Sequence, residues 1–260
     1  MMMKTLNMLT IALVTIAWIT ATSADAGLIG HWTFDEGTGS TTADSSTNPN
    51  TATQAGVAGS WTDGAVGGAY TLGGTTCRFE LGDSSDLRVT AAVTVSAWVN
   101  PTAASSWGLI AGIDTTGGTA NDMYALKTEG SGDSDKPHWA VVSGGGGDNI
   151  ALTASDTLAN FSAATADGWV HVVGIFNPGV GAYLYVNGVL EASDESSVPT
   201  SIQLKTTDFQ IGHNAADSGG YPLNAAVDDV RVYDSVMTPA EIIEETFPDG
   251  LIAHWRFDEG

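Results

Sequence analysis

From Val93 to Tyr233 apolar side chains recur at every second position, the period of a half-buried strand rather than of a helix. Val93–Val99, Trp107–Ile113, Met123–Lys127, Trp139–Ser143, Trp169–Phe176, Ala182–Val186, Phe209–Gly212 and Ala226–Tyr233 all read as short strands, separated by clusters of Gly, Asn, Asp, Ser and Pro. Asn187-Gly188 between Tyr183–Val186 and Val189-Leu190 signals a hairpin, because a type I′ turn needs positive φ at both central residues. One helix is clearly punctuated: Thr238 as N-cap, Pro239 at the first helical position, Glu241 closing a capping box and Ile242 and Ile243 as the apolar face, ending by Pro248. A parallel sheet would need crossover helices, and none are visible. The expected class is therefore all-β, an antiparallel two-sheet β-sandwich with one short C-terminal helix.

A repeat sets the bounds of the folding unit. Gly27 to Gly37 (GLIGHWTFDEG) returns at Gly250 to Gly260 (GLIAHWRFDEG) with nine of eleven positions identical, at an offset of 223 residues. Solenoid periods run to roughly 50 residues, so the repeating unit is a whole domain. Residues 27–247 are read as that domain and 248–260 as the start of a second, truncated copy. Residues 1–26 have the form of a signal peptide: Lys4, the apolar run Met8–Ile19, and Ala24-Asp25-Ala26 as a small-x-small cleavage site. That run is shorter than the about 20 residues of a membrane span and is followed by Thr20, Thr22 and Ser23. Cleavage after Ala26 would open the mature chain on the first residue of the repeat. The expected location is secreted, extracellular or at the cell surface, where linked modules gain avidity through effective concentration.

Thirty acidic residues against eight basic ones give a net charge of −22, which argues against nucleic acid as a partner and, after signal cleavage, against a membrane. A single cysteine, Cys77, leaves no internal disulfide, so a hydrophobic core must hold the domain; Cys77 alternates with Phe79 and Leu81 and reads as a small buried residue.

In order along the chain, Trp32-x-Phe34-Asp35-Glu36-Gly37, Asp44-Ser45-Ser46, Trp61-x-x-Gly64-x-x-Gly67-Gly68-Ala69, Val93-Thr-Val-Ser-Ala-Trp98-Val-Asn-Pro101, Trp169-Val-His171-Val, Leu184-Tyr-Val-Asn187-Gly188, Ile211-Gly212 and Val227-Asp228-Asp229-Val-Arg231-Val-Tyr233 resemble laminin-G-like domains. The resemblance implies a concanavalin A-like jelly roll and, for function, a carbohydrate-binding or adhesive module of a secreted or surface protein. The chain departs from the pattern after Ser46, where the usual glycine is missing, and at Gly144–Gly147, a glycine-rich insertion. Laminarinase-like hydrolases of the same superfamily carry Glu-x-Asp-x-x-Glu, which sets two carboxylates on one strand face at retaining distance; no such run is present. Asp228 and Asp229 are adjacent and on a regular strand would leave on opposite faces. Gly-x-Ser-x-Gly and His-Glu-x-x-His are also missing. The expectation is not an enzyme.

Two sets of candidate site residues follow. If first and last strands pair, Asp35, Asp228 and Asp229 gather at one rim with Asp44 and Asn50 of the loop after Gly37, an oxygen-rich set suited to a structural Ca²⁺. For a glycan surface the candidates are Trp107, His138, Trp139 and Tyr221 as aromatic faces with Asp122 and Asn214 as polar partners, whereas Trp32, Trp98 and Trp169 are assigned to the core. The expected partner is a polysaccharide or glycan-bearing surface. A protein partner, as in an adhesive repeat, and an accessory role beside the catalytic part of a secreted glycoside hydrolase are the alternatives.

Overall fold

Every strand read from the alternation forms, with its ends within two residues of those expected. The computed structural model describes residues 27–247 apart from 49, 83, 115–121, 131–134, 145–149 and 214–220. The segments read as a signal peptide, 1–26, and as the start of a second copy, 248–260, lie outside the described residues. In chain order the strands are β1 Leu28–Trp32, β2 Thr41–Thr42, β3 Ala52–Ala55, β4 Ser60–Asp63, β5 Gly68–Thr71, β6 Arg78–Leu81, β7 Val93–Pro101, β8 Leu109–Ile113, β9 Tyr124–Thr128, β10 Pro137–Val141, β11 Ile150–Thr153, β12 Val170–Asn177, β13 Gly181–Val186, β14 Val189–Asp194, β15 Gln210–Ile211 and β16 Ala225–Tyr233. Two α-helices accompany them, α1 Leu158–Ala163 and α2 Pro239–Thr246.

The strands form two sheets of eight, paired antiparallel throughout. The first runs β14-β13-β12-β7-β16-β5-β4, with β1 sharing the free edge of β16 beside β5. The second runs β11-β10-β9-β8-β15-β6-β3-β2. Their inner faces enclose one continuous core that includes Trp32, Phe34, Phe79, Trp139, Phe176 and Phe209, with Trp32 stacked on Phe209 at 5.5 Å. Gly174 admits the Trp139 indole, since a Cβ there would lie 2.3 Å from the ring. Cys77 is a buried free thiol in this core, and burial raises its pKa.

Asn187 and Gly188 both adopt positive φ at the β13–β14 turn. Helix α2 carries the full capping box between Thr238 and Glu241 and packs with Val173, Ile175 and Tyr233 on the outer side of the first sheet. Helix α1 has no comparable sequence signal; its six residues are nucleated by Thr157, whose side chain accepts from the amide of Asn160.

Two expectations change. Trp98 and Trp169 do not stand between the sheets: they pack with Ala65, Ala69 and Ala226 on the outer face of the first sheet, because Ala97, Val99 and Val170 take the inward positions. Asp228 and Asp229 do not straddle β16. A bulge between Asp228 and Arg231 adds one residue, with Asp229 at φ 47°, so Val227 and Val230 both point into the core and both aspartates face outward.

Candidate functional site

The outer face of the second sheet gathers three of the six residues expected to meet a ligand, Trp107, His138 and Asp122. Along β9, β10 and β11 the register Leu126–Trp139–Leu152 points into the core, so the neighbouring triple Lys127–His138–Thr153 points out. Outward here does not mean solvated. Lys127 and Asp122 are fully buried and His138 is 1 % exposed.

One cation serves two carboxylates in this enclosure. Lys127 Nζ donates to Asp122 Oδ2 at 2.5 Å and stands 3.6 Å from Asp114 Oδ2. Burial, reinforced by a hydrogen bond with Asp114 and opposed by Lys127, pushes Asp122 up to about 8, so this carboxyl is largely protonated at neutral pH. Its Oδ1 has no hydrogen-bond partner. His138 Nδ1 lies 2.9 Å from Thr153 Oγ1 and 3.0 Å from Glu129 Oε2, while Nε2 is unpartnered. Burial holds His138 down at about 4, against the attraction of Glu129, so the ring is neutral at pH 7.

Trp107 closes the cluster. Its backbone adopts φ 58°, a left-handed conformation that is rare and costly for a bulky residue. The Lys127 ammonium sits 5.4 Å from the ring centroid, close enough for a cation–π interaction. His138 meets the indole edge-on at 6.3 Å. Gly130 lies against the indole so closely that a Cβ would come within 1.7 Å of Nε1. The half-buried indole is thus fixed from beneath and from the side.

Trp107, His138 and Asp122 therefore meet in one place. Tyr221 is half-buried at the start of a segment whose next carbonyl, that of Pro222, lies near Gly108 beside Trp107. Asn214 lies outside the described residues. Trp139 stands apart, enclosed in the core with Nε1 donating to Ile175 O at 3.1 Å. Lys127 and Glu129 complete the cluster without having been singled out in the sequence; the one available signal was a lysine in a strand of otherwise apolar character.

The acidic rim is also assembled, and each of its carboxylates accepts from backbone amides or pairs with basic side chains. Asp44 Oδ1 accepts from the amides of His31 and Ser46 and its Oδ2 from Asn50, at 2.8, 2.8 and 3.1 Å. Asp35 accepts from Gly68 N at 2.6 Å and Asp228 from Val66 N at 2.9 Å, so both brace the β4–β5 turn. Asn50 directs its side-chain amide to Asp86. Asp229 is held between His31 and Arg231; although burial alone would raise its pKa, these partners hold it below the usual carboxylate value. Among the described residues no three His, Cys, Asp or Glu side chains are placed to share a metal ion.

Sheet order and the capped helix define the class: an antiparallel jelly-roll β-sandwich. The sequence profile of the Concanavalin A-like lectin/glucanases superfamily, in its laminin G branch, matches residues 72–243. The chain belongs to that superfamily. No curated protein matches it. Among solved structures it is similar to the binding domain of Paraclostridial Mosquitocidal Protein 1, with a TM-score of 0.64 and 12 % identity over 87 % of this chain and 53 % of that one. It is also similar to domain 4 of AbnA, an extracellular GH43 arabinanase from Geobacillus stearothermophilus solved with arabinotriose, with a TM-score of 0.55 and 21 % identity over 84 % of this chain and 98 % of that one. A third is the binding domain of botulinum neurotoxin DC in complex with rat synaptotagmin II, with a TM-score of 0.58 and 13 % identity over 87 % of this chain and 52 % of that one. The chain thus spans about half the length of the toxin domains and nearly all of the arabinanase domain. At these identities the likeness establishes the fold.

Proposed function

We propose that this chain is a non-catalytic carbohydrate-binding module of a secreted or cell-surface protein, and that Trp107 is its stacking platform. The observation that carries the reading is the left-handed, half-buried Trp107 clamped by Gly130 and backed by Lys127 and His138. Strain at a bulky residue persists where the surroundings over-determine it, and such outliers gather at binding sites. A rigid aromatic face needs little further ordering when a sugar stacks on it. The buried cluster beneath is then scaffold, with Asp122 and His138 positioning the indole rather than touching ligand. The arabinotriose complex of the similar arabinanase domain supports a glycan; the synaptotagmin complex of the toxin domain makes a protein the alternative partner.

The full chain on a broad glycan array tests this. Saturable binding to a defined glycan class, weakened at least about tenfold by Trp107→Ala with melting unchanged, is the expected result. Binding unaffected by Trp107→Ala would remove the platform, and silence on glycans with capture of a purified protein ligand would favour the adhesive reading.

A further inference from the structure

The first sheet has an outward-facing cavity that the reading above does not use. It has a volume of about 500 Å³, within the range of small-ligand sites, and its walls include Trp98, Trp169, Thr165, Asp167, Asn187 and Phe247. Trp98 projects from β7 in register with His171 of β12 on one side and Asp228 of β16 on the other. The His171 ring lies against its indole at 4.8 Å. One polar atom of the cavity wall is buried without a partner: Trp98 Nε1, a donor. Buried polar groups are almost always satisfied, so an unpartnered indole N–H in the cavity wall asks for a molecule that accepts.

The rim extends the same complementarity. Asn187, held at φ 49° in the β13–β14 turn, gives its Oδ1 to the amide of His171 at 2.9 Å, which leaves its side-chain NH₂ for a ligand. Asp167 uses Oδ1 to accept from Trp169 N at 3.2 Å, which leaves its second oxygen. Thr165 donates to Ser162 O and keeps its lone pairs. Trp169 and the exposed Phe247 add apolar surface. Indole faces beside a mixed set of fixed donors and acceptors suit a sugar ring, which presents C–H patches and hydroxyls together. Asp167, on a chain of net charge −22, disfavours a carboxylated sugar.

We infer that the Trp98–Trp169 cavity is a second carbohydrate site, selective for neutral sugars and placed on the opposite face of the sandwich from Trp107. A module with a site on each outer face bridges two glycan chains instead of gripping one twice, because a single chain would have to wrap the domain. The inference stands independently of the Trp107 platform.

Each of the eight tryptophans gives one indole N–H resonance, so ¹⁵N-labelled full chain reports the site directly, with the Trp98 peak assigned by its loss in Trp98→Phe. The probes are arabinotriose, cellotriose, laminaritriose and, as the anionic arm, trigalacturonate, each to about 10 mM. The expected result is a saturable shift of the Trp98 and Trp169 resonances with at least one neutral trisaccharide, retained in Trp107→Ala and absent with trigalacturonate. Trp98→Phe keeps the ring and removes the donor, and Asn187→Gly keeps the turn and removes the amide; each should weaken the response about tenfold. No shift with any neutral probe, a shift with trigalacturonate alone, or a shift that disappears in Trp107→Ala would overturn the inference. The last outcome would mark the cavity as an echo of the other face, whereas loss of array binding with the Trp98 shift intact would sink the Trp107 platform alone.

Discussion

The two outer faces of this sandwich solve the same problem in opposite ways. On the first sheet, charges alternate in a chain: His31 and Arg231 hold Asp229, Arg231 Nη1 continues to Glu245 of α2 at 2.8 Å, and Glu245 also accepts from Ser96 at 2.9 Å. Arg231 has a carboxylate on either side, and the network fastens the helix to the sheet. On the second sheet, Lys127 is enclosed with Asp122 and Asp114, and the imbalance is met by keeping a carboxyl protonated and a histidine neutral. The partly solvated network, which pins a helix, reads as a structural clamp. The sealed one, beneath a strained tryptophan, is the candidate site, since perturbed titratable groups cluster where a fold is asked to do something besides stay folded.

The largest way to break this contrast is Lys127→Met. Removing the cation leaves two buried acids facing each other, which costs about 3–5 kcal/mol in urea unfolding; Lys127→Met with Asp122→Leu should recover most of it. A cost under about 1 kcal/mol would show that the second face is not a sealed ion site. Arg231→Met is the matching change on the first face. The Arg231 side chain is 24 % exposed, so solvent discounts the loss to about 1–3 kcal/mol, with α2 amides exchanging faster. Salt should diminish the Arg231 effect and leave the Lys127 effect unaltered, because screening reaches only the solvated pair.

Titration gives a smaller, signed difference. The folded pKa of Asp122, about 8, lies above the ordinary carboxyl value of 3.8, so its contribution is fully present below about pH 4 and lost as pH rises toward 8. His138, lowered to about 4 from 6.5, works the other way: its contribution is present above 6.5 and lost as pH falls to 4. Between pH 4 and 6.5 the two oppose each other. Asp228, raised to about 7 chiefly by burial, adds to the decline only up to neutrality. Stability should therefore fall from pH 7 to 8, and Asp122→Asn should flatten that slope while Asp228→Asn does not. A wild-type slope of zero in this window would mean that Asp122 is ionised in the folded protein.

What the sequence discloses and what it hides divide along the same faces. The inner face is legible because a two-residue period fixes it: Val93, Val95, Ala97 and Val99 point inward as the alternation demands. The Asn187-Gly188 turn and the Thr238–Glu241 box are legible because each has a local stereochemical cause. Trp98 was misassigned because aromatic bulk alone suggests core, yet its parity places it outside. The Asp228–Asp229 bulge is invisible to a parity argument, since it is itself a break in parity. The pairing of Lys127 with Asp122 and Asp114 depends on how residues on either side of 115–121 are brought back together, which no periodicity encodes.

Chelation is expected to have the smallest effect, and it bears on the rim that joins the two faces. A converged set of carboxylates requires either a cation, a proton or a ring of donors. Here backbone amides are the donors: three reach Asp44, one reaches Asp35 and one reaches Asp228, while Arg231 and His31 serve Asp229. A calcium ion would have to displace these bonds and find six to eight oxygens in their place. Melting of the full chain should then be the same in EGTA and in millimolar Ca²⁺. A Ca²⁺-dependent rise in melting temperature that Asp44→Ala abolishes would show instead that the loop after Gly37 reorganises around a metal, and the rim would join the second face as a site rather than the first as a clamp.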